Sequence, residues 1–159
     1  MLNLQSAHPA YPFVATDAGR SSSRRPQQKN DCTVRAIALA KSMSYDDAYD
    51  LLSDAGRKSG CRFEFSKWIA SQPWATKFSF PAVKGQRRMN PATFCRQHSV
   101  GTFIVKTAKH VFVVKDGVAY DEMPAERGDR CIYSAWECIC LPGQLTTTLR
   151  ESPRSSVVG

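Results

Sequence analysis

His110-Val-Phe-Val-Val-Lys115-Asp-Gly117-Val-Ala-Tyr-Asp121 is the stretch on which the reading of this chain turns. Its Asp116-Gly117 pair stands between two runs of β-branched and aromatic residues, the strongest short-range signal for a two-residue type I′ hairpin. A turn of that kind sets the register. Lys115 faces Val118, Val113 faces Tyr120 and Phe112 faces Asp121, because each step back on one strand is a step forward on the other. His110 shares a face with Phe112, so Asp121 becomes its diagonal neighbour at roughly 7–8 Å between backbones, within side-chain reach. A carboxylate beside an imidazole holds one tautomer and stabilises the imidazolium. For a lone histidine, strand capping or solvent exposure would be explanation enough; a nearby nucleophile changes that reading.

Working outward, Gly101-Thr-Phe-Ile-Val-Lys-Thr107 and Cys131-Ile-Tyr-Ser-Ala-Trp-Glu-Cys-Ile139 carry the same strand-forming composition. Upstream the pattern is helical. Asp31 is placed to cap a helix bearing Val34, Ile37, Ala38 and Leu39. Ser44 announces a second, with Asp46 and Asp47 in its first turn, Ala48, Leu51 and Leu52 on one face and Gly56 as its stop. This second helix is expected to have little to do with chemistry. Asn90-Pro91 starts a short helix through Phe94 to His98, whose ring a dipole contact at the helix end explains. Between Phe63 and Val83 the expectation is a helix followed by irregular or strand structure. Helices first and strands second argue for an α+β domain, helices packed on a C-terminal antiparallel sheet, over a doubly wound parallel sheet.

The chain has 159 residues, 42% hydrophobic and 23% charged, which suits one globular core and excludes a disordered or collagen-like chain. No apolar window is long enough for a membrane span, and Met1 to Ala10 has no secretory pattern, so the cytoplasm is the expected location. The net charge of +8 permits acidic partners. Its clusters, Arg20 to Arg25 and Lys84 to Arg88, are short and lack interleaved aromatics, so nucleic acid is not expected as the main ligand. The six cysteines have neither disulfide-scaffold density nor zinc-ligand spacing, and no cofactor is expected; Cys138 and Cys140 read as strand thiols. Residues 1–25 are expected as an extended arm, 26–141 as the packed domain and 142–159 as a flexible tail. His8, in the arm, has no visible partner.

Cys32 supplies the nucleophile. A thiol in the first turn of a helix sees the positive end of the macrodipole and unpaired backbone N–H groups, which favour thiolate. Its own N–H can serve as half of an oxyanion hole. A side-chain amide would complete it, and Gln27, Gln28 and Asn30 all lie just upstream. Arg35 reads as a surface or salt-bridging residue. The plain alternative for Cys32 is an inert buried thiol at the start of a core helix.

As a set, Gln27-Gln-Lys-Asn-Asp-Cys32-Thr-Val-Arg-Ala36 resembles the nucleophile segment of papain-like cysteine peptidases. Lys109 to Asp121 resembles the His and Asp/Asn hairpin of the same clan, and Cys131 to Cys140 its closing strand. The pair N-D-C-T-V-R-A and H-V-F-V-V-K-D-G-V-A-Y-D is similar to short peptidase-like proteins of tailed bacteriophages. The resemblance implies a papain-like fold with Cys32 as nucleophile, His110 as general base and acid, Asp121 as orienter and Gln28 as oxyanion donor. The substrate it implies is a protein or peptide, of host or virion. Thr33 stands where bacteriocin-leader peptidases have Gly, and the D-C-S-G signature of NlpC-type cell-wall peptidases is absent, so neither substrate class transfers. Gln28 lies closer to Cys32 than the papain-like spacing. The expectation is therefore a thiol hydrolase of an amide bond; the alternative is a non-catalytic phage structural or host-interaction protein of the same fold.

Overall fold

In the computed structural model, which describes residues 10–125 and 131–139, the hairpin forms in the register its turn demands. Asp116 and Gly117 take φ of +49° and +78°, the left-handed pair of a type I′ turn. β4 (Val111–Lys115) and β5 (Val118–Asp121) then pair with Lys115 opposite Val118 and Val113 opposite Tyr120. Gly117 is required twice over, for its φ and because a Cβ there would lie 3.2 Å from the Cys95 carbonyl oxygen.

The hairpin sits within a six-stranded sheet that also contains β1 (Phe13–Ala15), β2 (Ala75–Ser79), β3 (Thr102–Lys106) and β6 (Ser134–Cys138), in the order β1-β5-β4-β3-β6-β2. Five strands run antiparallel to their neighbours within the β5-to-β2 set, but β1 pairs parallel to β5, with Val14 opposite Tyr120. The sheet is therefore mixed, and the expectation of a purely antiparallel sheet drawn from the C-terminal half is corrected. Strand β1 precedes the helices, and the long crossover through them returns the chain parallel to it. β2 likewise comes from between helices and supplies the opposite edge.

The described residues form four α-helices: α1 (Cys32–Ala40), α2 (Tyr45–Asp54), α3 (Phe65–Ala70) and α4 (Pro91–Gln97). Ser44 and Asn90 cap α2 and α4 by accepting from the N–H groups of Asp47 and Thr93. Gly56, at φ +105°, follows the end of α2. The sheet buries both faces. Ile104, Val111, Val113 and Trp136 pack under α1, α2 and α3, and Phe103, Val105, Phe112, Val114 and Ala119 pack with Phe94 of α4 and Tyr11. Burial on both sides is why β3 and β4 read as continuous apolar runs instead of alternating ones.

Residues 10–25 are not a loose arm. Tyr11 is buried, β1 is hydrogen-bonded into the sheet, and a 3-10 turn at Arg20–Ser22 aims Arg20 at Asp31. Lacking any apolar period, this segment is held by backbone pairing and ionic contacts that no periodicity encodes. The expectations placed on His8, Cys140 and residues 142–159 lie outside the described residues. No helix among the described residues is long and apolar enough to cross a membrane.

Candidate active site

Asp31 occupies the N-cap position of α1, yet its side chain makes no cap hydrogen bond. It is 2% exposed and instead accepts from Arg20 Nη1 at 2.9 Å, Arg35 Nε at 3.1 Å and the Tyr45 hydroxyl at 2.7 Å. Burial raises its affinity for a proton, but the Tyr45, Arg20 and Arg35 donors prevail and hold the carboxyl below its usual value. The start of α1 is thus pinned from three sides, and the next residue is Cys32.

Cys32 is half-buried and lies against the His110 side chain and the backbone N–H of Val111. Burial pushes its thiol up; the His110 imidazole, the Val111 N–H and the charge of Arg35 outweigh it, so the thiol titrates below its ordinary value. His110 lies just before β4, and its Nε2 is 2.5 Å from Asp121 Oδ2, leaving Nδ1 as the ring nitrogen for Cys32. The hydrogen bond to Asp121, then the Cys32 thiol, raise the imidazole to about 9 against the opposing effect of burial. Burial likewise works against the Asp121 carboxylate, but His110, Arg35 and the Glu122 N–H keep it below the ordinary range. The structure therefore brings Cys32, His110 and Asp121 together, with the His110 ring hydrogen-bonded to Asp121 and facing the Cys32 thiol.

Arg35 completes a network that sequence reading missed. It is 7% exposed, so it is salt-bridging but not a surface residue, and its Nη1 donates to Asp121 Oδ1 at 2.7 Å while Nε holds Asp31. Arg20 and Arg35 also pair with Glu122. One guanidinium therefore joins the residue before the thiol to the carboxylate behind the imidazole. The available signal was the i, i+4 spacing of Asp31 and Arg35. The Tyr45 bond to Asp31 also corrects the expectation that α2 stands apart from the site.

Gln28 borders the same cleft as Cys32, but its Nε2 donates to the Lys29 carbonyl at 3.0 Å and to Ser59 Oγ at 2.9 Å. Both its amide hydrogens are engaged, so this geometry leaves the Cys32 N–H as the available oxyanion donor. Gln27 is exposed, and Asn30, at φ +53°, offers its carbonyl to Arg57. His98 accounts for itself by a 3.1 Å contact from Nδ1 to the Phe94 carbonyl and stacking on the Phe94 ring.

Cys32 and His110 border two cavities. One, of about 630 Å³, is walled by Arg57, Phe63, Phe65 and Val111; the other, of about 470 Å³, by Gln28, Lys109 and Glu122. A third, of about 280 Å³, lies against His110 and Asp121 and has apolar walls from Tyr11, Phe13 and Phe112. Cys95 and Cys138 differ from Cys32, since burial pushes their thiols up to about 11 and about 12. Among the described residues no group of three or more His, Cys, Asp or Glu side chains is placed to hold a metal ion. No protein-family model matches the chain, and no curated protein or solved structure matches it.

Proposed function

We propose that the protein is a papain-like thiol hydrolase that cleaves a peptide, isopeptide or other amide bond through an acyl-enzyme, acting on a protein or peptide of host or virion. The observation that carries this reading is the single imidazole shared between the Cys32 sulfur and the Asp121 carboxylate. The thiolate attacks the amide carbon, forming a C–S bond while the carbonyl electron pair moves to oxygen. The Cys32 N–H, unpaired at the start of α1, donates to that oxygen. As the tetrahedral adduct collapses, the C–N bond breaks and the His110 imidazolium protonates the departing amine. Neutral His110 then takes a proton from water, which attacks the thioester and restores the thiol. Asp121 orients the ring throughout and is itself steadied by Arg35. Gln28 joins the oxyanion site only by giving up the Lys29 carbonyl or Ser59.

The test is alkylation and trapping on the full chain. Iodoacetamide at mildly acidic pH is expected to modify Cys32 ahead of the other cysteines, and intact-mass analysis after incubation with a peptide thioester to reveal an acylated Cys32. An unreactive Cys32 would favour the non-catalytic structural or host-interaction reading instead.

A further inference from the structure

We propose that the cleft around Cys32 is built for an acidic peptide segment, with carboxylate side chains near the bond to be cut. This inference rests on the reading of Cys32 and His110 as nucleophile and base. It follows from which charges are already compensated. Asp31, Asp121 and Glu122 are taken up by Arg20, Arg35, Tyr45 and His110, and Glu64 pairs with Arg62. Four cations bordering the two cavities beside Cys32, namely Lys29, Arg57, Lys106 and Lys109, face no carboxylate partner among the described residues.

Arg57 is the decisive one. It is 6% exposed, as deeply buried as Arg35, but where Arg35 meets three carboxylates Arg57 meets the Asn30 carbonyl, through Nη2 at 3.0 Å, and the face of the Tyr49 ring at 5.4 Å, with no carboxylate partner among the described residues. Its Nη1 is buried with no hydrogen-bond partner among the described residues. A buried charge without a counter-ion is costly. Its field, poorly screened by the protein wall, extends into the cavity it lines, where Lys106 and Lys109 at the rim add to it. A carboxylate entering that cavity supplies the missing counter-ion. A nucleic acid fits less well, because the rings bordering the cavity, Phe63 and Phe65, pack against each other and Trp68 instead of offering free faces for bases.

The test uses the full chain and three peptide vinyl sulfones that differ only in a Glu, Gln or Lys side chain on the acyl side of the warhead. Labelling of Cys32 is followed by intact mass, each rate divided by the same protein's iodoacetamide rate. The expected order is Glu, then Gln, then Lys, with roughly a tenfold span at low ionic strength. The span should collapse at about 1 M salt, where the screening length is about 3 Å. The double variant Lys106→Glu/Lys109→Glu should reverse the order, and Arg57→Gln should erase the difference between Glu and Gln. If Arg57→Gln does not fold, the rim variant carries the test alone. Equal rates on a reactive Cys32, or a faster Lys probe, overturn the acidic preference and leave the hydrolase reading standing. Protection of Cys32 by a single-stranded oligonucleotide but not by polyglutamate overturns it too. If iodoacetamide fails to single out Cys32, the nucleophile reading falls and takes this inference with it.

Discussion

At the scale of single residues, two titrations facing each other define the site. His110 is raised from 6.5 to about 9, so its stabilising contacts are complete below pH 6.5 and are lost as pH rises through about 9. Cys32 is lowered from 9.0, so thiolate persists beneath that pH and is lost only as pH falls through the depressed value. Thiolate and imidazolium therefore coexist between the Cys32 value and about 9. Amide hydrolysis should follow a bell within that window, while alkylation, which needs thiolate alone, should continue above it. In His110→Ala, burial of the sulfur is still opposed by the Val111 N–H, Arg35 and the start of α1 but no longer by the imidazole, so the alkylation midpoint should move upward. A midpoint indifferent to His110 would break the assigned pair. Arg35→Met should cost about 1–3 kcal/mol in urea unfolding, because Asp31, left with Arg20 and Tyr45, and Asp121, left with His110, each lose one buried charged donor. With Asp121 no longer shared, the alkaline limb of the bell should also shift up; a loss below about 1 kcal/mol would mean the guanidinium is not structural.

Elements matter here through their ends. α1 begins at Cys32 because Asp31 is held by three donors, and β4 begins one residue after His110, so a helix start and a strand start meet at the shared cavities beside the thiol. The β4–β5 turn, at the far end of the hairpin, sets whether Asp121 arrives opposite the imidazole. Two glycines with nearly equal φ isolate that dependence. Gly85, at +79°, has open space where a Cβ would go, whereas Gly117, at +78°, has the Cys95 carbonyl oxygen at 3.2 Å. Both alanine variants should incur about 1–2 kcal/mol of left-handed backbone strain. Gly117→Ala should lose more than Gly85→Ala in chemical denaturation and should also shift the Cys32 alkylation midpoint. Equal losses would show that the turn has room to yield.

For the molecule as a whole, the N-terminal segment decides more than its composition implies. Removing residues 1–25 deletes β1, the buried Tyr11 ring and Arg20, leaving the β5 edge unpaired and Asp31 short of one donor. That truncation is expected to lower the melting temperature and to slow Cys32 alkylation, since α1 loses part of its anchorage. Unchanged melting and reactivity would restore the reading of this segment as an extended arm apart from the packed domain.

Helix starts, the hairpin and the strand-rich stretch after α4 were legible in the sequence because each rests on local rules: cap chemistry at Ser44 and Asn90, left-handed turn residues at Asp116-Gly117 and strand composition. Those rules reached the site as well, since a register counted from a two-residue turn places Asp121 beside His110 without knowledge of anything else in the fold. What the tertiary structure alone decided involves groups distant in sequence. The pairing of β1 with β5 spans the whole helical region, and the Arg35 guanidinium reaches Asp121 from a helix with no local tie to that strand. Gln28 stands just before the thiol in sequence, and only the fold brings Ser59 to occupy its amide. Backbone pairing and ion pairs leave no period in a sequence, because their partners are set by how elements dock and not by what lies a few residues away.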